Sequence, residues 1–343
     1  MFPSKITQAF LVMTLIGSAL MVAPAAQGAD SRAAEHARVV NFWTPDKVAR
    51  AVPRDNMLTA SQPLAGKKPG GGSGSTSILG SSWTGGGEVA DTTGKVLFAL
   101  GSNYYVCSAS VINDGGIEAR SLILTAGHCV ADAATNTFAT NWIFIPNYDA
   151  MPARLDASRN FCEQTLYGCW VADVLIASNS FVTAGSFGAG VLYDYAFAVV
   201  SVGGKSGTPG TPGALQLDET VLSQNVEFET TPSVGINTHL FGYPASGKYK
   251  GNDLVYSVGP LGTDQRTTNQ TYRVASDMTG GSSGGPWFRE FVNGRGMIFS
   301  VTSYGYSGER ALFGPKLNAE AWGMFQLAKT TTDAGTIRYD TAP

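Results

Sequence analysis

Between Lys95 and Tyr304 the chain is cut into short apolar or alternating runs: "KVLFAL", "YYVCSASVI", "RSLILTA", "NWIFIP", "VADVLIAS", "DYAFAVVSV", "THLFGY", "DLVYSV", "TYRVA" and "GMIFSVTSY". Turn residues separate most of them, and β-branched and aromatic side chains are frequent within them. Runs this short do not make helices; they read as strands. One later segment, "LNAEAWGMFQLAKTT", reads as a helix. Many strands in succession with one late helix favour an antiparallel barrel or sandwich over an alternating α/β fold.

The chain before those strands has a different character. "MFPSKITQAFLVMTLIGSALMVAPAAQGAD" carries a positive Lys5, an apolar run from Ala9 to Ala23, and small residues such as the "APA" ending at Ala25. That is the pattern of a secretory signal peptide, assigned to residues 1–29. The run falls short of the about 20 apolar residues that a membrane anchor needs. The expected location is therefore extracellular, with no membrane attachment once the signal is cleaved and with disulfides permitted. Residues 30–65 are mixed and charged, with room for a short helix or two. "GKKPGGGSGSTSILGSSWTGGG", residues 66–87, has glycine at nine of 22 positions, the composition of a soft linker. Residues 30–77 thus read as a propeptide with a Gly-rich linker, and 78–343 as the folded domain. The net charge of −3 (23 − 26) gives no reason to expect nucleic acid as a partner.

Chemistry is concentrated in a few places. "DMTGGSSGGPW", residues 277–287, has Gly or Pro at five of eleven positions around Ser282 and Ser283. A serine in such a loop can be exposed, beside amides that belong to no ladder, which suits a developing oxyanion. A serine hydroxyl needs a base, and histidine is the usual one. Of the three histidines, His36 lies in the propeptide segment and His239 ends a strand. His128 ends the apolar run "SLILTAGHC" and directly precedes Cys129. Asp194, at the entrance to "AFAVVSV", is a carboxylate beside a buried run and needs a partner there. "GSSGG" also fits the Gly-x-Ser-x-Gly elbow of α/β hydrolases, but that fold needs a histidine after the serine and none follows His239.

"LTAGHC", "DYAFAV", "GGSSGGPW" and "SYG", in that order, resemble the chymotrypsin/trypsin-like serine peptidases, nearest to the secreted bacterial and fungal, glutamyl endopeptidase-related branch. The likeness covers about residues 95–328. It implies two six-stranded antiparallel β-barrels with a C-terminal helix and a secreted endopeptidase made as a precursor. It implies that Ser283 attacks the carbonyl, His128 moves the proton and Asp194 holds the imidazole. The amides of Gly281 and Ser283 would form the oxyanion hole, and Ser303, Tyr304 and Gly305 would pair with substrate backbone and line the specificity pocket. Four cysteines allow three pairings; the resemblance selects Cys107 with Cys129, pinning the histidine loop, and Cys162 with Cys169, stapling a surface loop.

The match departs from the family at several points. Ser282 stands where an aspartate usually precedes the nucleophile and receives a new N-terminal amine, and Ile78 is the candidate mature start. Asp277, six residues before Ser283, sits where a pocket-base carboxylate would select Arg or Lys, but the disulfide that usually fixes this loop is missing. Acidic specificity usually employs a histidine near the pocket wall, and "MIFSVTSYG" has none. The competing readings are a catalytically silent binding or cell-surface module and an esterase using the same site. No cofactor and no metal are expected: there is no compact Cys/His set for zinc and no clustered carboxylate motif for calcium. The expected partners are peptide or protein substrates and a processing protease, and the expected state is a monomer.

Overall fold

The structure, a computed structural model, describes residues 24–54, 57–58, 77–152, 155–205, 214–332 and 334–340. The apolar leader up to residue 23, and the linker from 59 to 76, lie outside the described residues. Two helices come first, α1 (Pro24–Phe42) and α2 (Pro45–Arg50), then a strand β1 (Ile78–Ser82). Six strands follow: β2 (Thr93–Leu100), β3 (Asn103–Ile112), β4 (Arg120–Thr125), β5 (Thr140–Pro146), β6 (Trp170–Ser178) and β7 (Ala196–Ser201). The second half contains β8 (Asn237–Gly242), β9 (Val255–Pro260), β10 (Thr271–Ala275), β11 (Pro286–Val292), β12 (Arg295–Val301) and β13 (Ala311–Pro315), and helix α3 (Ala319–Thr330) ends it.

Strands β2 to β7 close a six-stranded antiparallel barrel in the order β3-β2-β5-β6-β7-β4, sealed by β3 against β4. The apolar runs explain the closure. Leu122, Ile123, Leu124, Phe144, Trp170 and Phe197 are all fully buried, alternate residues facing the barrel interior and the elements packed outside it, and the aliphatic and Phe side chains contribute about 1.5–3 kcal/mol each on burial.

The second half does not form the expected second barrel. It is an open sheet, β12-β11-β8-β9-β1, extended at the β12 edge by Asn225–Val226, with a separate three-stranded sheet of Gly262–Thr263, β10 and β13. The reason lies in the edges of β9. A strand has only two hydrogen-bonding edges. β8 takes one, and β1 takes the other, with Ser82 opposite Val255 and Ile78 opposite Val258. No edge of β9 is left for β10, and the outer edge of β12 carries Asn225–Val226 in place of β13, so the ring stays open at both joints. Sequence composition placed Ile78–Ser82 inside a soft linker; in the fold it is a paired strand.

The N-terminal segment is packed on the barrel. Val39 and Trp43 are buried, and Trp43 Nε1 donates to the Asn141 carbonyl at 2.7 Å. Thr44 caps α2 by accepting the Lys47 amide, with Pro45 in the first turn. Val52–Pro53 then pairs parallel with Tyr105–Val106, and Met57–Leu58 pairs parallel with Gly305–Tyr306. At the other end, Asn318 caps α3 by accepting the Ala321 amide and also accepts the Tyr195 hydroxyl at 2.7 Å. Ala321, Met324, Phe325 and Ala328 make the buried face of α3. Both disulfides form as the resemblance implied: Cys107–Cys129 and Cys162–Cys169. Among the described residues no helix is long and apolar enough to cross a membrane.

Candidate active site

Thr125 at the end of β4 lies opposite Ala196 at the start of β7. That register fixes what comes next. His128 is three residues past Thr125, in the single 3-10 turn Gly127–Cys129, and Asp194 is two residues before Ala196. The two meet at the barrel rim. Asp194 Oδ1 accepts the His128 backbone amide at 2.7 Å, and Oδ2 accepts from Nδ1 at 2.8 Å. Ser303 Oγ is the third donor to this carboxylate and the second to Oδ2, at 2.5 Å. Both His128 and Asp194 are fully buried. A carboxylate acceptor at Nδ1 requires the proton there, and in the neutral imidazole the other ring nitrogen then carries the free lone pair. Nε2 is buried and has no hydrogen-bond partner among the described residues. Phe187 meets the imidazole edge-on, ring centroids 5.4 Å apart.

The serine loop is held by the barrel. Ser108, the residue after the bridged Cys107, donates its hydroxyl to the Gly281 carbonyl at 2.8 Å and its amide to the Ser283 carbonyl at 2.7 Å. The same hydroxyl accepts the Tyr243 amide at 2.9 Å. The amides of Gly281 and Ser283 donate to no acceptor among the described residues. Gly281 and Gly284 sit at φ +96° and +81°, the left-handed region. A Cβ on Gly284 would come within 2.3 Å of the Ser108 carbonyl, so this loop cannot be built from larger residues. Ser282 is buried, and its hydroxyl donates to the Thr279 carbonyl at 2.7 Å. The position that usually holds an aspartate is thus satisfied inside its own turn, without a cation.

Beside Ser283 lies a pocket of about 30 Å³, walled by Met278, Thr279, Thr302, Ser303, Gly305 and Leu312 among others. Asp277 is engaged elsewhere. Its carboxylate accepts from the Tyr249 hydroxyl at 2.5 Å, from Lys248 at 3.0 Å and from Arg310 at 2.7 Å. Burial pushes that carboxyl up, but these donors together outweigh it and hold it below the usual carboxylate value. Tyr304 and Tyr306 both donate to buried Asp264, at 2.9 and 2.8 Å. Burial pushes the Tyr306 hydroxyl up to about 12, and Tyr304 is raised for the same reason.

The fold thus brings His128, Asp194 and Ser303 into one hydrogen-bonded set and the Ser283 carbonyl to 3.7 Å from Cys129 Sγ, with no hydrogen bond between Ser283 and His128 Nε2 among the described residues, and it leaves Asp277 held by Lys248, Tyr249 and Arg310. Sequence reasoning missed Ser108, Phe187 and Asp264. Nothing near them in sequence marks them, because each acts on a segment far along the chain. Cys107, His128 and Cys129 place three donor atoms within 4.8 Å, but both sulfurs are joined to each other, and only a thiolate ligates a metal well.

The chain is similar over 70% of its length to the protease Anisep from Arthrobacter nicotinovorans, at 30% identity and a TM-score of 0.57, covering 96% of that chain. It is similar to the thermostable serine protease AL20 from an extremophilic microorganism at 30% identity and a TM-score of 0.57, over 71% of this chain and all of that one. The chain belongs to the chymotrypsin-like serine proteases. A Glu endopeptidase, at 18% identity and a TM-score of 0.50 over 74% of this chain and 97% of that one, shares the fold. Neither the protein-family models nor the curated protein sequences give a match.

Proposed function

We propose that the protein is a secreted serine endopeptidase, made as a precursor, that cleaves peptide bonds through an acyl-enzyme. The observation that carries this reading is the doubly held imidazole: Asp194 grips both the amide and Nδ1 of His128, leaving a free Nε2. In the proposed reaction the Ser283 hydroxyl attacks the substrate carbonyl carbon, and its proton passes to His128 Nε2. The amides of Gly281 and Ser283 take the negative oxygen. Collapse expels the amine, which receives the proton from His128. Water then repeats the sequence on the ester and releases the acid.

The pocket beside Ser283 supports a substrate class. It is small, and no charged side chain lines it. Asp277 is already paired with two cations. We therefore read a preference for a short uncharged side chain at the cleaved position, in place of the Arg/Lys selection that counting residues suggested. The test is labelling of the purified protein with a fluorophosphonate, locating the adduct by mass spectrometry. A label on Ser283 that disappears in Ser283→Ala and His128→Ala supports the reading. Absence of label on a chain cleaved in its Gly-rich stretch and freed of the segment before the cut overturns it and favours the silent binding module.

A further inference from the structure

We infer that the chain carries its own groove ligand: Met57–Leu58 pairs with Gly305–Tyr306, takes the Gly305 end of the candidate substrate edge Ser303–Gly305, and blocks the groove there until the segment is displaced. The inference rests on the reading of this groove as the peptide-binding site. Gly305 and Tyr306 are paired with Met57 and Leu58 in parallel register, and the Ser307 amide donates to the Leu58 carbonyl at 3.2 Å. The inner edge of Ser303–Tyr304, just before Gly305, is already used against Phe313. Only the outer edge remains for an extended peptide, and it cannot serve two chains at once.

The side chain of Leu58 follows the backbone into the groove. It packs against the apolar cluster of Val191, Tyr304, Tyr306 and Phe313, beside Phe187 and Leu192. Phe187 is the ring that touches both His128, at 5.4 Å, and Tyr304, at 6.4 Å between centroids. Leu58 therefore fills the apolar bowl one ring away from the candidate base. Any substrate with an apolar side chain at that depth must compete with it.

A two-residue pairing is weak on its own. Here it is tethered. Pro53, four residues before Met57, pairs with Val106 on the barrel, and the Arg54 amide donates to the Val106 carbonyl. Upstream, Trp43 and Val39 are buried against the same barrel. A short tether raises the local concentration of Leu58 to the millimolar range, so a contact of modest strength keeps the groove filled. Because the anchors lie on the N-terminal side, cutting the chain after Leu58 leaves the blocking segment docked. Release requires that α1 and the Val52–Pro53 pairing let go as well.

The experiment uses the full chain, the Leu58→Asp variant and the milder Leu58→Ala. Hydrogen exchange reads the docking directly. Protection of the Ser307 amide is present in the full chain and falls in Leu58→Asp, with Leu58→Ala between them; equal protection in all three overturns the docking. Fluorophosphonate labelling of Ser283 reads the block. It is expected to rise about tenfold in Leu58→Asp, the ratio that about 1.4 kcal/mol of lost contact gives. Equal labelling rates in variant and parent, with exchange showing release, overturn the block. No label in either protein, with exchange still showing release, overturns the block and leaves only the docking; labelling of the cleaved chain, freed of the N-terminal segment, then decides the proposed function by itself. If Leu58→Asp misfolds, Leu58→Ala carries both readouts.

Discussion

The first prediction concerns His36 and acid. His36 lies on α1, buried, and neither ring nitrogen has a hydrogen-bond partner among the described residues. Burial lowers its pKa from 6.5 to about 4. In the docked state the ring therefore stays neutral down to about that pH, whereas in an undocked α1 it charges at its ordinary value. The undocked state binds more protons between those limits. Docking is consequently strongest above pH 6.5, weakens as pH falls, and reaches its lowest level below about 4. The loss is about 2 kcal/mol between pH 7 and 5 and about 3 kcal/mol in full. The assay is hydrogen exchange of the α1 amides at pH 7 and pH 5, corrected for intrinsic rates, in the parent and in His36→Leu. The parent should lose protection by a factor of about 30 on acidification, and the leucine variant should lose little. The same loss in both proteins would refute the reasoning, because it would show that another group takes up the proton.

Three further outcomes are expected. Ser108→Ala removes the hydroxyl that ties the Gly281 carbonyl and the Tyr243 amide to the barrel; a loss of about 1–3 kcal/mol in chemical unfolding should accompany slower labelling of Ser283. Gly284→Ala forces a Cβ to within 2.3 Å of a backbone oxygen at a left-handed φ; it should cost about 3 kcal/mol or more, visible as a lowered melting temperature. Lys95 is buried over the Tyr148 ring, and burial lowers its pKa to about 7. The unfolded chain binds that proton up to about pH 10.5, so parent stability should rise between pH 7 and 9, below the range in which the buried tyrosines titrate, and Lys95→Met should lack that rise.

Much of the barrel was legible because its strands are near-continuous apolar runs, as "SLILTA" and "AFAVVS" illustrate: buried on both sides, they leave little choice of structure. The pairing of β4 with β7 then brings His128 to Asp194 without further information. The second half was legible as strands but not as a sheet. Its openness depends on Ile78–Ser82, whose glycine-bearing, polar surroundings look like linker and whose partner strand lies far along the chain. Asp277 shows the same limit at a single residue. Counting back from Ser283 places it correctly in the loop, but the direction of its side chain is decided by Lys248, Tyr249 and Arg310, which the spacing does not contain. The docking of Met57–Leu58 was equally hidden, since two residues carry no periodicity.

Ser108 belongs to the barrel, yet both carbonyls it holds belong to the loop of the other half. The reactive loop is therefore shaped by a neighbour it is not covalently adjacent to. A small slip between the halves would release Gly281 and Ser283 while leaving every strand intact. Heating or denaturant should then silence the site while far-ultraviolet circular dichroism still reports full β-content. Activity would serve as a gauge of how well the two halves are seated against each other.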